Sequence, residues 1–376
     1  MRRLLAGNCL CDLSTKAKRS LCPAALLLLG VASFTAPSRA EEEPRLVITI
    51  PSEVQYNNFF QSENSVGELG DAFAKIEPEA SFRLGAGFSL EGQLTYEAIN
   101  PAPIRDRFFD NQGLYVKQIF LNYERDGFSL HAGKFAPSFG LAWDTAPGVF
   151  GRDFARDYEL TEQIGVGGTL EFDGPGDTSH QVSLNAFHRD KSAMTRSWFN
   201  RRTRVRDSSG GFANTDDLSS YSATLAGDTP LVPSYKYQLS YDHLAAGRGN
   251  PTDEDGYALA LFGESGLTEQ WKLLPFAELA YFSGAKVVAE DRSYGTLGLS
   301  VTDDTWEMNV SFTSRVIDPD AAGTADTRDK LYQAGISRNL PYGINLGLGY
   351  RQAEEAGITS HAIGLLLKRE FSFSAF

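Results

Sequence analysis

The chain has 376 residues, is 42% hydrophobic, and carries a formal net charge of −13 from 35 Lys and Arg against 48 Asp and Glu. That acidity excludes a generally basic, nucleic-acid-coating protein, and 25 Phe, 15 Tyr and 4 Trp spread along the chain exclude disorder. The three cysteines, Cys9, Cys11 and Cys22, all precede residue 40, which excludes disulfide frameworks, zinc–cysteine sites and cysteine nucleophiles from the remainder.

Arg2, Arg3, Lys16, Lys18 and Arg19 make a basic front end. An apolar run over residues 21–34 follows, centred on Leu26-Leu27-Leu28-Leu29, and Ser38-Arg39-Ala40 offers small residues at −3 and −1. Residues 1–40 therefore read as a cleavable secretory signal peptide, and residues 41–376 as one exported domain. No later stretch reaches the roughly 18 consecutive apolar residues of a spanning helix.

From residue 45 onward the hydrophobic period is two. Ile76, Pro78, Ala80, Phe82 and Leu84 alternate with Lys75, Glu77, Glu79, Ser81 and Arg83; after Gly85-Ala86-Gly87, the residues Phe88, Leu90, Gly92, Leu94 and Tyr96 alternate with Ser89, Glu91, Gln93, Thr95 and Glu97. The pattern returns around Ile164–Phe172, Tyr235–Tyr241, Trp306–Phe312 and Ile344–Tyr350. Successive strand side chains point to opposite faces, so each segment has one apolar and one charged face. Segments of about ten residues with that polarity are the mark of a transmembrane antiparallel β-barrel, lipid outside and water inside. Turn signals place about 16 strands, starting near Arg45, Ala72, Phe88, Leu114, Phe128, Tyr158, His180, Leu218, Ser234, Gly256, Gln270, Arg292, Asp304, Arg328, Gly343 and Ile358. Short connections (85–87, 125–127, 303–304, 339–343) contrast with long ones (100–113, 135–157, 190–217), as short periplasmic turns and long outer loops require. Tyr96, Tyr115, Tyr123, Tyr221, Tyr257, Trp271, Tyr294 and Tyr332 fall near strand ends, where their rings suit the headgroup level.

The segment from Phe128 to Gly140, with Gly133-Lys134-Phe135 and then Pro137-Ser138-Phe139-Gly140, resembles a passage of Gram-negative outer-membrane porins. It is most similar to the phosphate- and pyrophosphate-selective superfamily. The resemblance implies a 16-stranded, homotrimeric ion and solute channel in the outer membrane, whose third outer loop, here 135–157, folds into the pore. Two features depart from it. Phe371 and Phe373 lie in the opposite phase to the terminal Phe376, which calls for a bulge or a slipped register, and the polar faces carry no clear arginine ladder, so phosphate selectivity is not carried over.

A porin is selective through its radius and the charges at its narrowest ring. The expected pore-lining and constriction set is Lys75, Arg83, Glu91, Glu97, Lys117, Lys134, Asp144, Asp153 and Asp157, with the loop carboxylates facing the wall cations Lys75, Arg83, Lys117 and Lys134. A second loop bears Arg196, Arg201, Arg202, Arg204 and Arg206 around Trp198 and Phe199. It reads either as an anion-attracting vestibule or as a patch for lipopolysaccharide phosphates, whose oxygens match the guanidinium fork. The partners expected are outer-membrane lipid, lipopolysaccharide and small hydrophilic solutes, without nucleic acid, metal or cofactor. Neither His-Glu-x-x-His nor Gly-x-Ser-x-Gly occurs, so an enzyme is not expected. The competing readings are a structural or adhesive barrel with a plugged lumen and, behind it, a barrel hydrolase with a dispersed triad.

Overall fold

In hydrocarbon every backbone N–H and C=O must find a partner within the protein, and a sheet meets that demand only by closing on itself. The alternating segments do so. The computed structural model of the protein describes residues 45–100, 104–199, 202–229, 232, 234–285, 290–319 and 324–375; the leader read over residues 1–40, Arg201 and Phe376 lie outside the described residues. The wall consists of β1 (Leu46–Ser62), β2 (Leu69–Ile76 continued by Glu79–Gly85), β3 (Phe88–Ala98), β4 (Gln112–Arg125), β5 (Phe128–Phe135), β6 (Gln163–Asp173), β7 (Ser179–Arg189) and β8 (Ser220–Asp228). It continues through β9 (Tyr235–Leu244), β10 (Glu254–Gly263), β11 (Lys272–Ala285), β12 (Glu290–Thr302), β13 (Trp306–Pro319), β14 (Thr327–Leu340), β15 (Ile344–Glu355) and β16 (Ile358–Ala375). Each strand pairs antiparallel with the next, and β16 returns to β1 in a register running from Leu46↔Ala375 to Ser62↔Ser360. The result is a closed 16-stranded barrel.

Burial is inverted relative to a water-soluble protein. Leu239, Leu259, Leu279, Leu297, Val310, Ile336, Leu348 and Leu365 are exposed on the outer face, while Ser240, Glu278, Thr296, Ser311 and Gln333 are buried on the inner one. Short turns close one end; in the Asp126-Gly127 turn both residues take positive φ (49° and 78°), the two-residue geometry that follows strand twist. Most of the long connections lie at the other end, although the last of these, Ala356-Gly357, is also a two-residue turn (φ 50° and 77°).

Three expectations need correction. No bulge or slip falls between Phe371 and Ala375: the register from Leu46↔Ala375 to Phe59↔Ala362 is unbroken, both rings point outward in phase with Leu367, Leu365 and Ile363, and Phe376 lies outside the described residues. Tyr115 and Tyr294 are not interfacial, because both are buried on the inner face, whereas Tyr221, Tyr257 and Tyr332 do stand exposed outside. The third long loop runs to residue 162 rather than 157, since Ala155–Tyr158 forms a 3-10 turn before β6 begins at Gln163.

Leu279 lies midway along β11 on the lipid face, so Leu279→Arg is expected to cost about 2–4 kcal/mol. Equilibrium refolding into lipid vesicles checks this.

Candidate functional site

Loop 3, residues 136–162, is unusually apolar for a connection between strands, carrying Phe139, Leu141, Trp143, Val149, Phe150, Phe154, Tyr158 and Leu160. That composition cannot sit in water, and the loop turns into the barrel. Phe139, Leu141, Ala142, Phe150, Phe154 and Tyr158 are buried. Phe139 and Tyr158 pack with Phe282 of β11 and Tyr294 of β12, with ring centroids 5.0 to 6.3 Å apart.

One wall carboxylate locks this arrangement. Glu278 of β11 accepts hydrogen bonds from Leu141 N at 2.5 Å, Ala142 N at 3.1 Å and Tyr158 Oη at 2.6 Å. It thereby supplies the acceptor for the otherwise unpaired N–H groups at the start of the helical turn Ala142–Thr145, whose own N-terminal residue Leu141 has no capping side chain. Burial together with the neighbouring Glu278 carboxylate pushes the Tyr158 hydroxyl well above its usual range, so it stays a donor. Further along, Gly140 N donates to Ser240 Oγ of β9 at 3.3 Å, and Gln238 Nε2 donates to Gly140 O at 3.0 Å.

The tip of the loop needs glycines in the wall. A Cβ at Gly298 would lie 2.5 Å from Pro147 Cδ, at Gly349 2.8 Å from Val149 Cβ, and at Gly364 2.6 Å from Phe150 Cζ. All three glycines occupy inward positions, on β12, β15 and β16, where any side chain would push the loop off the wall.

The returning limb is held by arginines that the alternation did not bring out. Asp157 meets Arg315 of β13 at 2.7 Å, accepts from Tyr294 Oη at 2.9 Å, and lies 3.9 Å from Arg292 of β12; Asp153 meets Arg351 of β15 at 3.4 Å. Asp153 and Asp157 therefore face Arg351 and Arg315 rather than the expected wall cations Lys75, Arg83, Lys117 and Lys134. An inward row of three arginines does exist on β12, β13 and β15, but each is also held by a second acid: Arg292 by Glu290, Arg315 by Asp329 and Arg351 by Glu355. The row was hidden in the sequence because its members lie on strands far apart along the chain.

Loop 3 thus lines the wall from β8 to β16 and presents its other side to β1–β4. There the expected residues Lys75, Lys117 and Asp144 come together with Glu53, Glu77, Arg152, Glu159 and Lys368. Lys117 bridges Glu77 of the wall (3.3 Å) and Glu159 of the loop (3.4 Å), Lys75 pairs with Glu77 (2.8 Å), Lys368 with Glu53 (3.2 Å), and Arg152 with Asp144 (3.9 Å). A register shift in the β3–β4 ladder at Gln93/Leu94 lets Lys117 reach this cluster. Burial raises the Asp144 carboxyl above the usual range despite the opposing pull of Arg152, Lys75 and Lys117, and its Oδ2 has no hydrogen-bond partner among the described residues. Burial likewise raises Asp153 against the pull of Arg351.

The remaining expected residues lie elsewhere. Lys134 lines no pore: its side chain has no accessible surface and is shared by Glu162 at 3.0 Å and Asp190 at 2.8 Å, tying together the roots of loop 3 and of loop 4, residues 190–219. Arg83 is exposed near the Gly85-Ala86-Gly87 turn, and Glu91, farther from that turn on the same face, accepts from Ser81 and Ser89. Glu97 accepts from Tyr115 Oη at 2.5 Å beneath loop 4. In that loop Arg202 stacks 3.6 Å over the Tyr115 ring and pairs with Glu162, while Arg196, Arg204 and Arg206 are exposed.

The barrel matches solved structures over its whole wall. The outer-membrane protein OpdK of Pseudomonas aeruginosa aligns with a TM-score of 0.52 at 10% identity, over 87% of this chain and 99% of that one. OprB of Pseudomonas putida aligns at 0.60 and 10% identity, over 88% and 94%, and OmpF of Salmonella typhi, in complex with daunomycin, at 0.59 and 11%, over 88% and 99%. The fold is that of these barrels. No protein-family model matches the sequence, and no curated protein does.

Replacing Glu278 by Ala strands two loop amides and a phenol, an effect on the order of 3 kcal/mol. The β-sheet circular dichroism is expected to persist while single-channel traces become noisier; Glu278→Gln, which keeps an acceptor, is expected to restore much of the quiet state.

Proposed function

We propose that the protein is an outer-membrane porin: a passive, water-filled channel for small hydrophilic solutes and ions. The observation that carries this reading is a closed barrel with a polar inner face, in which loop 3 lies along one side of the inner wall and leaves a ring of charged side chains against β1–β4. That ring, with Lys75, Lys117 and Asp144 at its centre, forms the constriction. Its four acids (Glu53, Glu77, Asp144, Glu159) and four bases (Lys75, Lys117, Arg152, Lys368) offset one another, so the ring itself discriminates weakly by charge sign. Discrimination comes from the periplasmic half, where Glu79, Glu91 and Glu307 are held by hydroxyls and amides. The channel therefore favours cations. Phosphate is not its favoured solute, because Arg292, Arg315 and Arg351 are already occupied by carboxylates. The porin resemblance supports export through the leader and assembly as a homotrimer.

In planar bilayers a stable open conductance is expected; silence in correctly folded protein would instead favour a structural or adhesive barrel. Reversal potentials in a salt gradient should show cation preference, and Glu79→Gln, Glu91→Gln and Glu307→Gln together should move it toward unity. The raised Asp144 carboxyl bears its charge only above its elevated pKa and loses it as pH falls, before ordinary carboxylates do. Part of the cation preference is expected to fall as the pH is lowered, and Asp144→Asn should remove that part of the pH dependence, read as reversal potential against pH.

A further inference from the structure

Loop 3 ends on a strained residue. Glu162 has a φ of 57°, and a side chain of that size occupies the left-handed region only where its surroundings hold it there. Three contacts do so. Its carbonyl accepts a hydrogen bond from Asp190 N, at the start of loop 4, at 3.0 Å. Its carboxylate meets Lys134 Nζ of β5 at 3.0 Å through one oxygen and Arg202 of loop 4 through the other. Loop 4 thus grips the last residue of loop 3 at two points.

Arg202 has a second seat. Its guanidinium lies 3.6 Å from the centre of the Tyr115 ring, a stacking that suits the planar side chain of arginine. Loop 4 is fastened to the same strand one residue earlier, where Trp198 N donates to Leu114 O at 2.8 Å and Leu114 N donates to Ser197 Oγ at 3.1 Å. Tyr115 is itself fixed by donating to Glu97 Oε1 at 2.5 Å.

The two seats of Arg202 lead to the two sides of the constriction. Glu159 stands three residues before Glu162, Lys117 stands two residues after Tyr115, and these two side chains meet across the passage at 3.4 Å. Lys117 also holds Glu77 of the wall at 3.3 Å, so the pair is continuous with the charged ring. Arg202 therefore spans, above the Glu159–Lys117 pair, the same gap between loop 3 and β4 that the pair spans below.

We infer that Arg202 is a positioning residue of the constriction, a pin from loop 4 that holds the closing limb of loop 3 against β4 and so fixes the approach of Glu159 to Lys117. It acts through Glu162 and Tyr115. With the guanidinium withdrawn, the Glu162 carboxylate keeps only Lys134, the left-handed backbone at Glu162 loses one of its restraints, and the segment from Glu159 to Glu162 moves away from Lys117. The seating of loop 4 at the outer end of the barrel thereby governs the passage beneath it. This inference deepens the channel reading and rests on it for its effect on conductance.

Two measurements on the full-length protein test it, one of them independent of conduction. All three cysteines precede residue 40, so no native thiol lies in the barrel wall or its loops. Thr161→Cys places a thiol between Glu159 and Glu162, where the native hydroxyl oxygen is buried, and its rate of modification by a small charged methanethiosulfonate is read from the mass of the intact protein. In the Arg202→Gln variant that rate, and the frequency of transitions between open levels in single-channel records, are each expected to rise about tenfold, the size expected when a charged hydrogen bond is lost from one of two states. Heat-modifiable gel mobility and β-sheet circular dichroism should stay as in wild type. Arg202→Lys, which keeps a cation for Glu162, should give intermediate values. In a Glu162→Gln background, Arg202→Gln should add less than about twofold, because the two residues act as one unit. Should Arg202→Gln fail to fold, Glu162→Gln alone is expected to raise both rates. Unchanged thiol and transition rates in folded Arg202→Gln overturn the inference, as does a full tenfold effect of Arg202→Gln in the Glu162→Gln background. Silent bilayers together with a raised thiol rate in Arg202→Gln would sink the channel reading and leave the pin standing.

Discussion

A backbone inside hydrocarbon has no water to bond, and the whole architecture follows from that constraint. Each of the 16 strands must have two neighbours, so the last must find the first, and β16 does so along the full length of β1. Once closed, the sheet has an outside and an inside of opposite polarity, and the period-two pattern assigns every side chain to one of them. Wherever a strand partner is missing, something else supplies the bonds. Loop 3 leaves the wall at Phe135, and the price is paid at the β4 edge, where loop 4 takes up the ladder at Leu114.

Loop 3 fills part of the barrel interior. Its position depends on three kinds of contact acting at once. Glu278 terminates a helical turn that lacks its own cap, inward glycines make room for Pro147, Val149 and Phe150, and Asp153 and Asp157 dock on wall arginines. The apolar material that a water-soluble protein would keep in a central core sits here between the loop and the β9–β12 wall, in the rings of Phe139, Tyr158, Phe282 and Tyr294. Charge in the lumen is divided accordingly. The limb that returns toward β6 uses its acids for attachment, while in the stretch facing β1–β4 the half-buried Asp144 lies beside Arg152.

The strand plan and the polarity of each strand's faces were legible in the amino-acid sequence, because alternation and turn residues are local signals, whereas the inward loop was expected only from the resemblance carried by residues 128–140. The strand starts near Phe88, Leu114, Phe128 and Ile358 fall within two residues of the observed ones. Lys75, Lys117 and Asp144 do lie in one charged cluster between loop 3 and the inner wall. The apolar content of loop 3 was a readable sign of burial, and so were the glycines at inward positions such as Gly349 and Gly364.

What only the tertiary structure decided is which charge meets which. Lys134 looks like any polar-face residue of β5, yet it is sealed between Glu162 and Asp190 because loops 3 and 4 close over it. Arg292, Arg315 and Arg351 are separated by many residues and form a row only through the strand order and register. By itself the sequence determined a closed barrel with a wet interior, since strand polarity repeats every two residues and is set by each segment alone. The lumen's charge map depends on the path of a loop across nine strands, and no local period records that path.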